Sequence, residues 1–186
     1  ESMPSKDSDH RNGPIIPPTR WYRSLAAAGL HNPAVHGPAR HWLQVEGSFT
    51  RALQQQCRYR FHVEVCNEGF AVPTLEEARR LGLAPRQRAW IREVRLCGDS
   101  QPWVLARTVI PLACLEGKGR RLRNLGNKPL GAYLFSRPEW LRGPLETGLC
   151  QNTDDQQPQL ARRSLFHRGN EALMVGEYLL PTLYQR

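Results

Sequence analysis

No apolar run in this 186-residue chain approaches the ~20 residues that a membrane-crossing helix needs, so no stable membrane insertion is expected. The opening Glu1-Ser2-Met3-Pro4 lacks the basic-then-apolar order of a secretory signal. No C-x-x-C pair occurs among the five cysteines, Cys57, Cys66, Cys97, Cys114 and Cys150. Their odd number and wide spacing argue against a disulfide framework and for reduced thiols in a cytoplasmic protein. Gly117-Lys118-Gly119 lacks the spacing of a phosphate-binding P-loop, and no G-x-S-x-G elbow is present. His31, His36 and His41 recur every five residues in a Pro/Gly-rich stretch, but no second cluster completes a metal site. No metal or cofactor is expected.

Acidic residues are the minority charge. Lysine and arginine total 26 against 17 aspartates and glutamates, a formal charge of +9. That balance favours an anionic partner. The one dense basic stretch, Lys118 to Arg123, reads as a solvated loop rather than a nucleic-acid surface, so no nucleic-acid partner is expected.

The chain is long enough for one domain with its own core. Residues 1–20 are polar and punctuated by Pro14, Pro17 and Pro18, which predicts a poorly ordered segment ahead of a domain over 21–186. Ser48 and Thr50 are candidate caps for a helix through Gln56. Thr74-Leu75-Glu76-Glu77 is a capping box, and Gly82 suits that helix's end. Ser136-Arg137-Pro138-Glu139 has the same opening pattern, and 151–158 reads as a loop. Strands are expected at 59–65, at 88–97 and 103–110 joined as a hairpin through 98–102, and at 172–180. A short connection leaves no room for a crossover helix, so the fold class is α+β with an antiparallel sheet and flanking helices.

Strand phase singles out three charges. Arg92 shares a face with Trp90, Val94 and Leu96, whereas Glu93 and Arg95 fall on the other. Arg107 is in register with Trp103, Leu105 and Val109, and Glu177 with Leu173, Val175 and Leu179. A buried unpaired ion costs several kcal/mol. Either these three form an internal salt-bridge network, or they line a closed anion pocket in which two guanidiniums grip carboxylates and a glutamate accepts from a hydroxyl. Cys57 and His62 make a poor nucleophile and base, because their odd spacing sends them to opposite faces.

Several blocks resemble the chorismate pyruvate-lyases that make 4-hydroxybenzoate for ubiquinone synthesis. They are Trp42-Leu43 through Gly47-Ser48-Phe49-Thr50, Trp90-Ile91-Arg92-Glu93-Val94 and Pro102 to Pro111. Leu125 to Phe135, Arg162-Arg163-Ser164 and Val175 to Pro181 follow in the family's order. The resemblance covers about residues 42–181 and implies a single domain whose antiparallel sheet and helices enclose a ligand cavity. It implies product binding by Arg92 and Glu177, with the backbone N–H groups of Phe49 and Leu130 helping to hold the product carboxylate. Phe49 stands where a better-studied member has methionine. Arg107 matches a second arginine of the family site and would hold the enolpyruvyl carboxylate or stabilise charge on the departing oxygen. Chorismate is then the substrate, in a monomer without cofactor. The rival reading is a non-catalytic sensing domain, since effector modules of some bacterial regulators resemble this fold.

Overall fold

The computed structural model describes residues 15–185. The expectation of a poorly ordered lead-in falls largely on residues 1–14, which lie outside the described residues. Its last part is structured: Thr19 and Arg20 already belong to β1 (Thr19–Tyr22), and the Ile15 N–H donates to Glu93 at 3.2 Å.

Eight strands form one antiparallel sheet. After β1 come β2 (Phe61–Ala71), β3 (Ala89–Gly98) and β4 (Gln101–Pro111). They are followed by β5 (Leu141–Arg142), β6 (Glu146–Cys150), β7 (Leu160–Arg168) and β8 (Glu171–Leu179). The order is β1-β6-β7-β8-β4-β3-β2, with β5 pairing to β7. The sheet and its flanking helices are the α+β architecture that the sequence predicts.

Local chemistry explains the boundaries. The β3–β4 hairpin is tighter than expected, because Asp99 and Ser100 alone turn the chain, with φ of 50° and 69°. Two successive positive φ angles match the twist of the flanking strands. The Asp99 carboxylate accepts from the backbone N–H groups of Arg58, Tyr59 and Arg60 at 2.7–3.0 Å. Those captured N–H groups are why β2 starts at Phe61 rather than at Tyr59.

Helix α3 (Phe49–Gln56) is capped by Ser48, whose hydroxyl accepts from the Arg51 N–H. The complete Thr74/Glu77 capping box opens α4 (Leu75–Leu81), and Gly82 closes it in the left-handed conformation at φ 68°. Ser136 does not open a helix. It ends α5 (Leu130–Phe135), its hydroxyl turned back to donate to the Tyr133 carbonyl at 2.6 Å.

Both faces of the central sheet are buried. On one, Val94, Leu96, Val104, Leu160 and Leu179 pack beneath α3 and the helices before it, while Ile110, Phe166, Leu173 and Val175 pack beneath α5. On the other, Ile91, Val109, Leu165 and Met174 meet Leu81 of α4, and Leu105, Ala161 and Tyr178 meet Ile15, Ile16 and Trp21.

Candidate active site

Beneath α3 and α5 lies a cavity of about 30 Å³, lined by Thr50, Arg92, Val94, Thr108, Leu130 and Glu177 among others. It has room for about two waters. The strand phases place Arg92 and Glu177 here as expected, on β3 and β8 either side of β4. Leu130 is the first residue of α5 and a wall residue, while Phe49 opens α3 beside the lining Thr50.

Arg92 is almost wholly buried and donates to the Glu68 carboxylate at 3.0 Å and to the carbonyls of Gly126 and Lys128 at 2.7 and 2.8 Å. Burial pulls its guanidinium below the usual arginine range, and Glu68 opposes that. Glu177 accepts at Oε2 from Arg162 Nε at 2.8 Å.

Arg107 is not at the cavity. It lies across the sheet, where its Nε and Nη2 grip both oxygens of Glu77 at 2.8 and 2.7 Å and Nη1 reaches Glu93 at 3.3 Å. Burial pulls Arg107 down, but the two carboxylates outweigh it and hold the group above its ordinary value. Glu93, which strand phase sets on the face opposite Arg92, is buried in the same cluster. Across the ladder Arg92 pairs with Thr108 and Arg107 with Glu93, which sends the two arginines to opposite faces of the sheet. The internal triad is excluded for the same reason, since Arg92, Arg107 and Glu177 each have different partners.

The arginine that faces the cavity side instead is Arg162, on β7. It is fully buried, donates to the carbonyls of Trp42 and Val45 as well as to Glu177, and lies 4.6 Å over the Phe49 ring. Its Nη2 has no hydrogen-bond partner among the described residues. Nearby Arg142 donates to Ser164 and to the Gly47 carbonyl. Burial, then repulsion from Arg162, lower Arg142 to about 10, with Glu177 and the exposed Glu46 opposing. Arg162 was visible in sequence only inside an Arg-Arg-Ser block. Adjacent arginines defeat an alternation reading, and β7 was therefore not anticipated.

The site is rich in guanidinium groups and lies beneath α3 and α5. The protein so defined is of the α+β class, with a small cavity lined by charged and apolar side chains between its sheet and helices. Residues 25–186 match the chorismate lyase family model, and the chain belongs to that family. A probable chorismate pyruvate-lyase from Marinobacter nauticus is 74% identical over 183 residues, covering 98% of this chain and 97% of that protein. The chorismate pyruvate-lyase of Serratia proteamaculans is 40% identical over 169 residues, covering 90% and 88%. Among solved structures, the possible transcriptional regulator YydK of Bacillus subtilis aligns with TM-score 0.52 at 12% identity, covering 71% of this chain and 62% of that one. The effector domain of PhnF from Mycobacterium smegmatis aligns at 0.50 with 16% identity, covering 73% and 90%. These two likenesses concern the fold. No helix among the described residues is long and apolar enough to cross a membrane.

Proposed function

We infer that this chain is a chorismate pyruvate-lyase, converting chorismate to 4-hydroxybenzoate and pyruvate. Close likeness to proteins of that name supports the reading, and one structural observation carries it. Arg92, Arg142 and Arg162 gather on the cavity side of the sheet, where Glu68 and Glu177 are the carboxylates hydrogen-bonded to them among the described residues. Three cations against two carboxylates leave a surplus of one positive charge, which favours an anionic ligand. Chorismate carries a ring carboxylate and an enolpyruvyl carboxylate.

The reaction breaks the ether C–O bond and removes the hydrogen on the hydroxyl-bearing ring carbon. The ring becomes aromatic, and the enolpyruvyl fragment gains a proton at its methylene to leave as pyruvate. Atoms and electrons balance within the substrate, so the step calls for no external oxidant or reductant. Aromatisation drives it.

Arg92 takes the ring carboxylate with the guanidinium donors left over from its three protein contacts. The first-turn N–H groups of Phe49 and Leu130, which have no partner within α3 and α5, assist it. Glu177, fixed through Oε2 by Arg162, offers Oε1 to the ring hydroxyl. The enolpyruvyl carboxylate, assigned to Arg107 on family grounds, falls to Arg162 Nη2, with Arg142 adding positive potential. Since the cavity holds little more than water, its walls must part to admit the ring. Sequestering the ring in a reactive conformer away from water is the protein's contribution. The odd number and wide spacing of the five cysteines favour a reducing compartment, and we place the enzyme as a monomer in the cytoplasm.

Incubating the protein with chorismate and EDTA should release 4-hydroxybenzoate and pyruvate in equal amounts, with Glu177→Gln slower by about 10²-fold. Binding of 4-hydroxybenzoate without turnover by the wild type would turn the reading to a sensor, and neither would overturn it.

A further inference from the structure

On the sheet face away from the cavity, near its outer edge, β2 and β3 bring together three groups that the lyase reaction does not use. His62 and Glu64 are two residues apart on β2 and share that face, and His62 pairs across the ladder with Cys97 of β3. A ring nitrogen of His62, a carboxylate oxygen of Glu64 and the sulfur of Cys97 all lie within 4.8 Å of one another.

We propose that His62, Glu64 and Cys97 form a site for a divalent cation of the zinc class. In a tetrahedral zinc site, metal–ligand distances of about 2.0–2.3 Å set the donor atoms roughly 3.3–3.6 Å apart. The His62 Nε2 to Glu64 Oε1 separation is already 3.3 Å. Small side-chain rotations close the rest. With Nε2 on the metal, the other ring nitrogen, Nδ1, is shielded from solvent and has no hydrogen-bond partner among the described residues.

Access and charge also fit. β2 is the last strand of the sheet, Glu64 is half exposed, and Cys97 lies buried at the bottom, so a hydrated ion can approach from one side. Glu64 keeps its second oxygen toward Arg95 Nη1, at 3.7 Å, which leaves Oε1 for the metal. Mixed nitrogen, oxygen and sulfur donors suit zinc and cobalt and disfavour the all-oxygen preferences of magnesium and calcium. Binding replaces the Cys97 S–H bond with a sulfur–metal bond and releases the proton to solvent. Neither the cavity nor any residue lining it takes part. The competing arrangement is a surface histidine–glutamate pair above a buried cysteine.

Cobalt(II) distinguishes the two. Titrated into the reduced, EDTA-stripped and desalted full chain, it should give a thiolate-to-cobalt charge-transfer band that saturates at one equivalent and is displaced by zinc but not by magnesium. Cys97→Ser should abolish the band, whereas Cys66→Ser and Cys114→Ser should keep it. His62→Asn and Glu64→Gln, at the sheet edge, should each weaken cobalt binding at least about tenfold. No band at saturating cobalt, a band that survives Cys97→Ser, or unchanged affinity in both edge variants would overturn the site. Chorismate turnover in EDTA reads the lyase separately, so the two fail independently.

Discussion

The two faces of this sheet carry the same residue type to opposite ends. Both bury arginines that strand phase alone cannot tell apart. On the far face, Arg107 and Arg163 are clamped by the chain's own carboxylates: Glu77 and Glu93 for the first, Glu76 and Glu146 for the second. Two of those carboxylates come from the first turn of α4, where the capping box already places acidic residues at the helix's positive end. On the cavity face, Arg162 retains an unpartnered nitrogen and Arg142 is crowded by its neighbour's charge. A buried guanidinium saturated by carboxylates holds the fold together. One left short of acceptors is poised for a ligand.

Substitutions on each face should therefore separate stability from binding. The largest effect is expected from Arg107→Ala, which strands Glu77 and Glu93 without their cation. Breaking such a buried pair costs roughly 3–5 kcal/mol. Denaturant unfolding should show that loss, while the molecules that remain folded bind 4-hydroxybenzoate with wild-type affinity. A loss of affinity with intact stability would instead move Arg107 into the site.

Arg92→Ala should do the reverse. Charge-assisted hydrogen bonds contribute about 1.5–3 kcal/mol, so product affinity should fall about 10- to 100-fold. Its protein partners are a partly exposed glutamate and two loop carbonyls, and stability should change less than in Arg107→Ala. Calorimetric titration with 4-hydroxybenzoate, set beside an unfolding curve, checks both limbs.

The mildest test is pH. Burial raises Glu77, but Arg107 and the Thr74 cap outweigh it, and its carboxyl lies below the usual range. Burial likewise opposes the lowering of Glu146 by Arg163 and Arg80. A depressed folded-state value means that the stabilisation is fully present above the unfolded value of about 4.3 and is lost as pH falls through the folded values. Unfolding free energy should thus decline with acid below about pH 4.3, less steeply in Glu77→Gln than in the wild type. Equal slopes would remove Glu77 from the acid response.

Much of the fold was legible because its signals are local. The Thr74 box, the Ser48 cap, Gly82 and the alternation of β3, β4 and β8 each depend on neighbours a few residues away. One misreading was local, Ser136, which ends α5 where its pattern predicts a helix start; the others were non-local. Asp99 reaches across to set the start of β2, and β7 is hidden because Leu160 to Arg168 is buried on both sides and does not alternate. Pairing across the ladder, rather than anything within β2, brings His62 beside Cys97.

The sequence by itself determined the antiparallel α+β class, the burial of Arg92 and Arg107, the partial burial of Glu177, and the family. Those follow from periodicity, capping chemistry and short motifs, which are written along the chain. Only the tertiary structure decided which side of the sheet each charge serves. Alternation says that two residues face opposite ways, but not which face carries the cavity. That depends on which helix covers each face, and with which carboxylates.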